Sequence, residues 1–182
     1  MVALFACLGL AAGCGNSRTP VPSLTQPAAV HGFRTLRFPA AGVSIGVPES
    51  WPVIAQRAPL LTVVASGNAV IALWRYPRRG PAPAPASALA AARGSLLRAI
   101  RARSGSVRVI GSRIARIGGV PAIELDALER VAGSPRHVLS THLFRTGGEI
   151  VLEEYAPLSL FRSIRGPVFG PVRRSLTLIG AR

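Results

Sequence analysis

The dipeptide Gly118-Gly119 stands between two long runs of strand-forming residues, Val107 to Ile117 and Val120 to Leu128. The same arrangement recurs at Gly147-Gly148, between Arg136 to Thr146 and Glu149 to Ala156. Paired glycines adopt the positive φ angles of a two-residue hairpin turn without steric cost. Two such hairpins in succession, joined through the loop from Glu129 to Pro135, give an antiparallel meander of four strands, so the second half of the chain is predicted to be mostly sheet.

The first half repeats the theme with other breakers. Arg34 to Phe38 and Val43 to Val47 flank Pro39-Ala40-Ala41-Gly42, and Leu60 to Ala65 and Ala69 to Tyr76 flank Ser66-Gly67-Asn68. Both read as hairpins, and the β-branched content of the second favours strand over helix. Trp51 closes the corner Pro48-Glu49-Ser50-Trp51 and reads as a core anchor. One segment breaks the pattern. Leu89, Leu96, Leu97 and Ile100 fall at i, i+7, i+8 and i+11 after Ser87, a single apolar stripe that predicts a helix ending near Gly105. Leu158, Phe161 and Ile164, then Phe169, Val172 and Leu176, have helical spacing interrupted by Gly166-Pro167 and Pro171, which predicts one or two short closing helices.

The chain has 182 residues, enough for one domain once its first part is set aside. Val2 to Ala12 is apolar but shorter than the ~20 residues that span a bilayer as a helix, and it ends in Leu10-Ala11-Ala12-Gly13-Cys14, ahead of a polar stretch. The pattern resembles a bacterial lipoprotein signal, although no Lys or Arg precedes the apolar run. It predicts a signal peptide over 1–13, a palmitate-type acyl anchor on Cys14, a proline-bearing tether over 14–32 and a globular domain over 33–182. The chain's other cysteine, Cys7, lies inside the signal, so the globular part has no thiol for a disulfide, a zinc cluster or a nucleophile.

The net charge of +15 comes from 22 basic residues, all of them Arg. A lipoprotein domain outside the cytoplasmic membrane meets anionic headgroups and wall polymers rather than nucleic acid, and an aromatic content of 5% offers few stacking platforms for bases. No nucleic-acid partner and no cofactor are expected; membrane lipid through acylated Cys14 is, together with an envelope protein or anionic headgroups. The loop from Arg78-Arg79-Gly80-Pro81 to Pro85 reads either as a solvated connector or as a contact arm through Arg78 and Arg79.

Phe38-Pro39 with Gly42-Val43-Ser44-Ile45, Pro48-Glu49-Ser50-Trp51, Ile117-Gly118-Gly119-Val120-Pro121-Ala122 and the close from Phe169 to Leu176 resemble, in order and spacing, the PsbP-like family that includes the DcrB and LpqN lipoproteins. The resemblance covers about Phe33 to Ile179. It implies a single α+β domain, an antiparallel sheet covered by helices as an α/β/α sandwich, and a binding or assembly role at a membrane without catalysis. No shared catalytic residues come with it.

One polar group invites a chemical reading. A turn at Gly147-Gly148 places His142 opposite Glu153, and pairing Leu128 with Arg136 adds Glu124 and Ser140 to the same face. A shift of one residue in the second register removes Glu124. His142, Glu153 and Glu124 have the ligand types of a divalent-metal site; Ser140, His142 and an acid have those of a hydrolase; and the same residues also serve as a hydrogen-bonded patch. An envelope hydrolase or metal-dependent enzyme is therefore the alternative to a non-catalytic domain. His31 and His137 read as solvated, and phosphate-binding glycine loops are absent.

Overall fold

The computed structural model describes residues 25–83, 85–103, 105–131 and 133–179. The signal segment and Cys14 lie outside the described residues. Strands β1 (Phe33–Phe38) and β2 (Val43–Pro48) form the first hairpin through a single 3-10 turn, Pro39–Ala41, that ends on Gly42 at φ 65°. Gly42 admits no side chain, because a Cβ there would stand 1.6 Å from the Arg145 guanidinium, which donates to the Ala41 carbonyl.

Next come β3 (Val53–Arg57), which the sequence pattern did not reveal, then β4 (Leu60–Ser66) and β5 (Ala69–Pro77). Helix α1 (Ala86–Arg103) carries the expected stripe: Leu89 is buried and Leu96, Leu97 and Ile100 pack beside it. The meander follows as β6 (Val107–Ile117), β7 (Val120–Val131), β8 (Ser134–Arg145) and β9 (Gly148–Pro157). The chain closes with α2 (Leu158–Ile164), a π-helical turn over Arg165–Phe169, α3 (Gly170–Ser175) and a short strand β10 (Thr177–Leu178). The wide turn absorbs Gly166-Pro167, whose proline lacks the N–H of an ordinary helical bond, so the helical path bends instead of ending there.

Two antiparallel sheets result. The long one has the order β3-β4-β5-β9-β8-β7-β6, and the short one β1-β2-β10. The main core lies between them: Trp51, Ile45 and Val47 from the short-sheet layer and Phe161 and Phe169 from the closing helices bury Ile71, Leu73, Ile150 and Leu152 of the long sheet. On the other face α1 covers β6 and β7 and closes a smaller cluster of Leu89, Ile123, Leu125 and Phe144. This is the expected α+β domain, with the face opposite α1 covered jointly by helices and a small sheet.

The long sheet has two distinct ends. At one stand the Gly118-Gly119 turn and the β8–β9 turn; we call this the glycine end. At the other stand the β4–β5 turn, the start of β6 and the junction of β9 with α2, reached because β4–β5 and β5–β9 pair as antiparallel neighbours. Residues 25–32 are bonded to this second end although their composition reads as tether. Asn68 N–H donates to the Thr25 carbonyl, Ala28 N–H to Ser66 Oγ at 2.8 Å, Ser50 Oγ to the Ala29 carbonyl, and Trp51 Nε1 to the Ala28 carbonyl at 3.1 Å. We call it the tether end.

Trp51 thus fills the core with its ring and holds the entering chain with its indole N–H. Trp51→Ala is expected to cost about 3–5 kcal/mol, and Trp51→Phe about 1 kcal/mol with selective loss of amide protection at 25–32. Denaturant unfolding and hydrogen exchange measure both; a Trp51→Ala domain as stable as the parent would refute this role.

Candidate functional site

Two registers in the meander decide which polar side chains meet. Ile117 pairs with Val120, so Gly118-Gly119 is the two-residue turn expected, with φ 55° and 80°. The β8–β9 turn differs by one position: Arg145 pairs with Gly148, leaving Thr146-Gly147 as the turn. Gly148 instead sits inside the sheet, paired with both Arg145 and Pro77. Moving a hairpin turn by one residue shifts each partner by two, so the faces are unchanged and apolar alternation could not tell the two apart.

The β7–β8 pairing is displaced by a single step, and there the faces do change. Leu128 lies opposite His137 rather than Arg136, and Val131 opposite Ser134, so the connection is a tight turn at Gly133 rather than a loop from Glu129 to Pro135. This register sends Ala122, Leu139 and Leu143 into the main core and Ile123 and Leu125 under α1. Glu124 goes with the main-core face, whereas His142 and Glu153 point to the α1 side. The expected grouping of Glu124 with His142, Glu153 and Ser140 is therefore corrected. Among the described residues no group of three or more His, Cys, Asp or Glu is placed to hold a metal ion.

On the α1 side Ser140 pairs with Glu153, and His142 with Val151. The buried His142 ring is held at both nitrogens: Nε2 lies 3.0 Å from Ser140 Oγ and Nδ1 2.7 Å from Glu149 Oε1. Glu149 in turn faces Arg78, at 3.5 Å, and the Arg78 guanidinium lies 5.0 Å from the centre of the Phe144 ring. Burial would raise the Glu149 carboxyl, but the His142 hydrogen bond and charge, with Arg78, bring it below the ordinary carboxylate value. Burial pushes Glu153 upward, opposed in part by the charge of the His142 ring. Arg78 is thus half-buried and engaged internally, while Arg79 is exposed.

The chain Ser140–His142–Glu149 has the atom order of a hydrolytic triad, and Glu149 is the member the sequence reading missed. Its surroundings are unlike an acyl-transfer site. Ser140 lies within a strand paired on both sides, so local backbone N–H groups serve the ladders, and the adjoining Glu153 carboxylate disfavours a developing oxyanion. Both ring nitrogens of His142 are engaged within the domain, Nδ1 by Glu149 and Nε2 by Ser140, so neither is open to a metal ion. Ser140 is expected to resist a fluorophosphonate probe; a stoichiometric adduct on Ser140, read by mass spectrometry, would restore the hydrolase.

The opposite face holds the acids the first register misplaced. Arg113 Nε donates to Glu124 Oε2 at 2.5 Å, Arg173 Nε reaches Glu124 Oε1 at 3.2 Å, and Arg173 Nη1 lies 3.5 Å from Glu154 Oε2. His137, read from the sequence as solvated, is hydrogen-bonded to Asp126 and stacked on Phe161 at 3.8 Å between ring centres. A cavity of about 190 Å³ opens between β6, β7 and the closing helices, lined by Gly111, Arg113, Glu124, Asp126, Arg165 and Arg173 among others. Behind it Glu154 is fully buried with neither carboxylate oxygen hydrogen-bonded, and burial, only partly offset by Arg173, pushes its carboxyl up to about 8.

No protein-family model matches the sequence, and no curated protein sequence is similar to it. Solved structures are similar in fold. Cyanobacterial PsbP from Synechocystis superposes with a TM-score of 0.63 at 12% identity, covering 82% of this chain and 94% of the other. LpqN of Mycobacterium tuberculosis, a protein involved in cell envelope biogenesis, gives 0.54 at 16% identity over 85% and 90% of the two chains. A Pseudomonas aeruginosa protein of unknown function gives 0.53 at 13% identity over 80% and 96%. The domain has the PsbP-like fold that its motifs resembled.

Glu154 gives the domain a pH dependence of defined sign. A carboxyl raised from 4.5 to about 8 on folding takes up a proton, so stability is highest at low pH on this account and falls as pH rises between those values. Glu154→Gln is expected to flatten that slope and to stabilise the domain at pH 8 by about 2–4 kcal/mol. Chemical denaturation across this range measures it, and an unchanged slope in the variant would sink the assignment.

Proposed function

We propose that this protein is a lipoprotein of the bacterial cell envelope, held on the outer face of the cytoplasmic membrane by acylated Cys14, whose PsbP-like domain is a non-catalytic binding or scaffold module. One observation carries the reading. The chain is bonded to the tether end of the domain from Thr25 onward, so only ten residues separate the lipid-site motif from a folded attachment point. A connection that short keeps an anchored domain close to the membrane surface.

The fold is shared with an LpqN protein involved in cell envelope biogenesis, which supports the same compartment. The saturated His142 ring supports binding over catalysis, because both of its nitrogens are engaged within the domain. Arg79 and the exposed Tyr76 stand near the glycine end, where an envelope partner would meet them; Arg78 is committed to Glu149 and Phe144.

The test is acylation of Cys14. Metabolic labelling with a fatty acid and mass spectrometry of the mature amino terminus are expected to give a diacylglyceryl cysteine as the first residue, and Cys14→Ser is expected to move the protein from the membrane to the soluble fraction. An unmodified Cys14 in membrane-fractionated protein refutes the anchor.

A further inference from the structure

The tether end presents exposed cations together with exposed apolar side chains. Arg101 in the last turn of α1, Arg108 near the start of β6 and Arg162 in α2 are exposed there, and none is paired with a carboxylate among the described residues. Of the chain's seven acids only Glu49 and Glu129 occupy strand ends or turns at this end. Three large apolar side chains on β1, β3 and α2 are also exposed toward this end: Phe33 at 39%, Ile54 at 64% and Leu158 at 43%. Apolar groups fringed by unpaired guanidinium groups match the boundary between acyl chains and phosphate headgroups.

We propose that the tether end is a docking surface for anionic lipid headgroups, so that the long sheet stands up from the bilayer with its glycine end outermost. Chain length supports this orientation, and here the proposal rests on the lipoprotein reading. The eleven Cα–Cα steps from Cys14 to Thr25 span at most about 40 Å fully extended, about the length of a twelve-residue strand such as β7 or β8. Placing the glycine end on the bilayer would demand that whole extension, so an acylated Cys14 favours the tether end lying nearest the lipid, where electrostatic attraction acts within about 10 Å. In this pose the loop at Arg79 and the surface around Tyr76 project away from the membrane, available to a protein partner rather than to headgroups.

The experiment uses the full chain with Cys14→Ser, which removes acylation, and compares its partitioning onto vesicles of phosphatidylglycerol mixed with phosphatidylcholine with that onto phosphatidylcholine alone. The ratio between the two cancels any contribution of the apolar leader. Replacing Arg101, Arg108 and Arg162 together with Glu is expected to lower this anionic preference on the order of 100-fold. The same replacement of Arg57, Arg75 and Arg79, which changes the net charge equally but elsewhere on the sheet, is expected to lower it by less than about tenfold. Circular dichroism checks the fold of both triple variants, whose exposed side chains make no side-chain hydrogen bond among the described residues. Equal losses in the two sets, or no anionic preference in the parent, would overturn the proposal. Selective loss in a chain whose Cys14 is never acylated would uphold the docking surface while refuting the lipoprotein reading.

Discussion

The pairing of β7 with β8 is the constraint on which the rest of this domain depends. With Leu128 opposite His137, Ala122, Leu139 and Leu143 enter the main core, while Ile123 and Leu125 lie beneath α1. A displacement of one residue would exchange the two faces of a strand, sending its apolar residues to the wrong layer and its acids to the other side. Burial on both faces enforces one register. Everything polar then follows from it: Glu124 and Asp126 face the closing helices and their arginines, and Ser140 and His142 face α1.

The long sheet consequently separates two electrostatic systems. On the α1 side His142 is satisfied at both nitrogens and Glu149 is shared between it and Arg78, which favours the ionised carboxylate. On the opposite side arginines from β6, the π turn and α3 converge on Glu124 and Asp126, leaving Glu154 buried behind them without a hydrogen bond. A carboxyl in that position is more stable neutral than charged, because an unsolvated anion costs more than its distance from Arg173 returns. The two systems share strands β8 and β9 but not side chains.

The ends of the sheet differ as its faces do. The glycine end is made of tight turns, and the Arg145 side chain there reaches across to the short sheet. The tether end takes the incoming chain through Trp51, Ser66 and Ser50, so the place where the polypeptide enters the domain is fixed by a buried ring and several hydrogen bonds. An attachment of that kind transmits orientation to the domain, which a chain joined at a loose terminus would not.

Much of this could be read without coordinates. Gly118-Gly119 located its hairpin, the Leu89 to Ile100 stripe located α1 and the face it buries, and the motif around Trp51 together with the meander pointed to the PsbP-like fold. These features are local, set by a turn's φ angles or by side chains a few residues apart. Strand β3 was missed because Val53 to Arg57 is a short edge strand with register shifts and no regular alternation. Glu149 was missed because a turn moved by one residue keeps every face, and Glu124 was misplaced because a pairing moved by one residue keeps none. The partners of His137 and Arg173 were invisible for a related reason: Asp126, Phe161 and Glu154 reach them from other elements. Periodicity by itself determined the elements, their order and the fold; register and layer packing, which depend on burying both faces of one sheet at once, decided which charges meet.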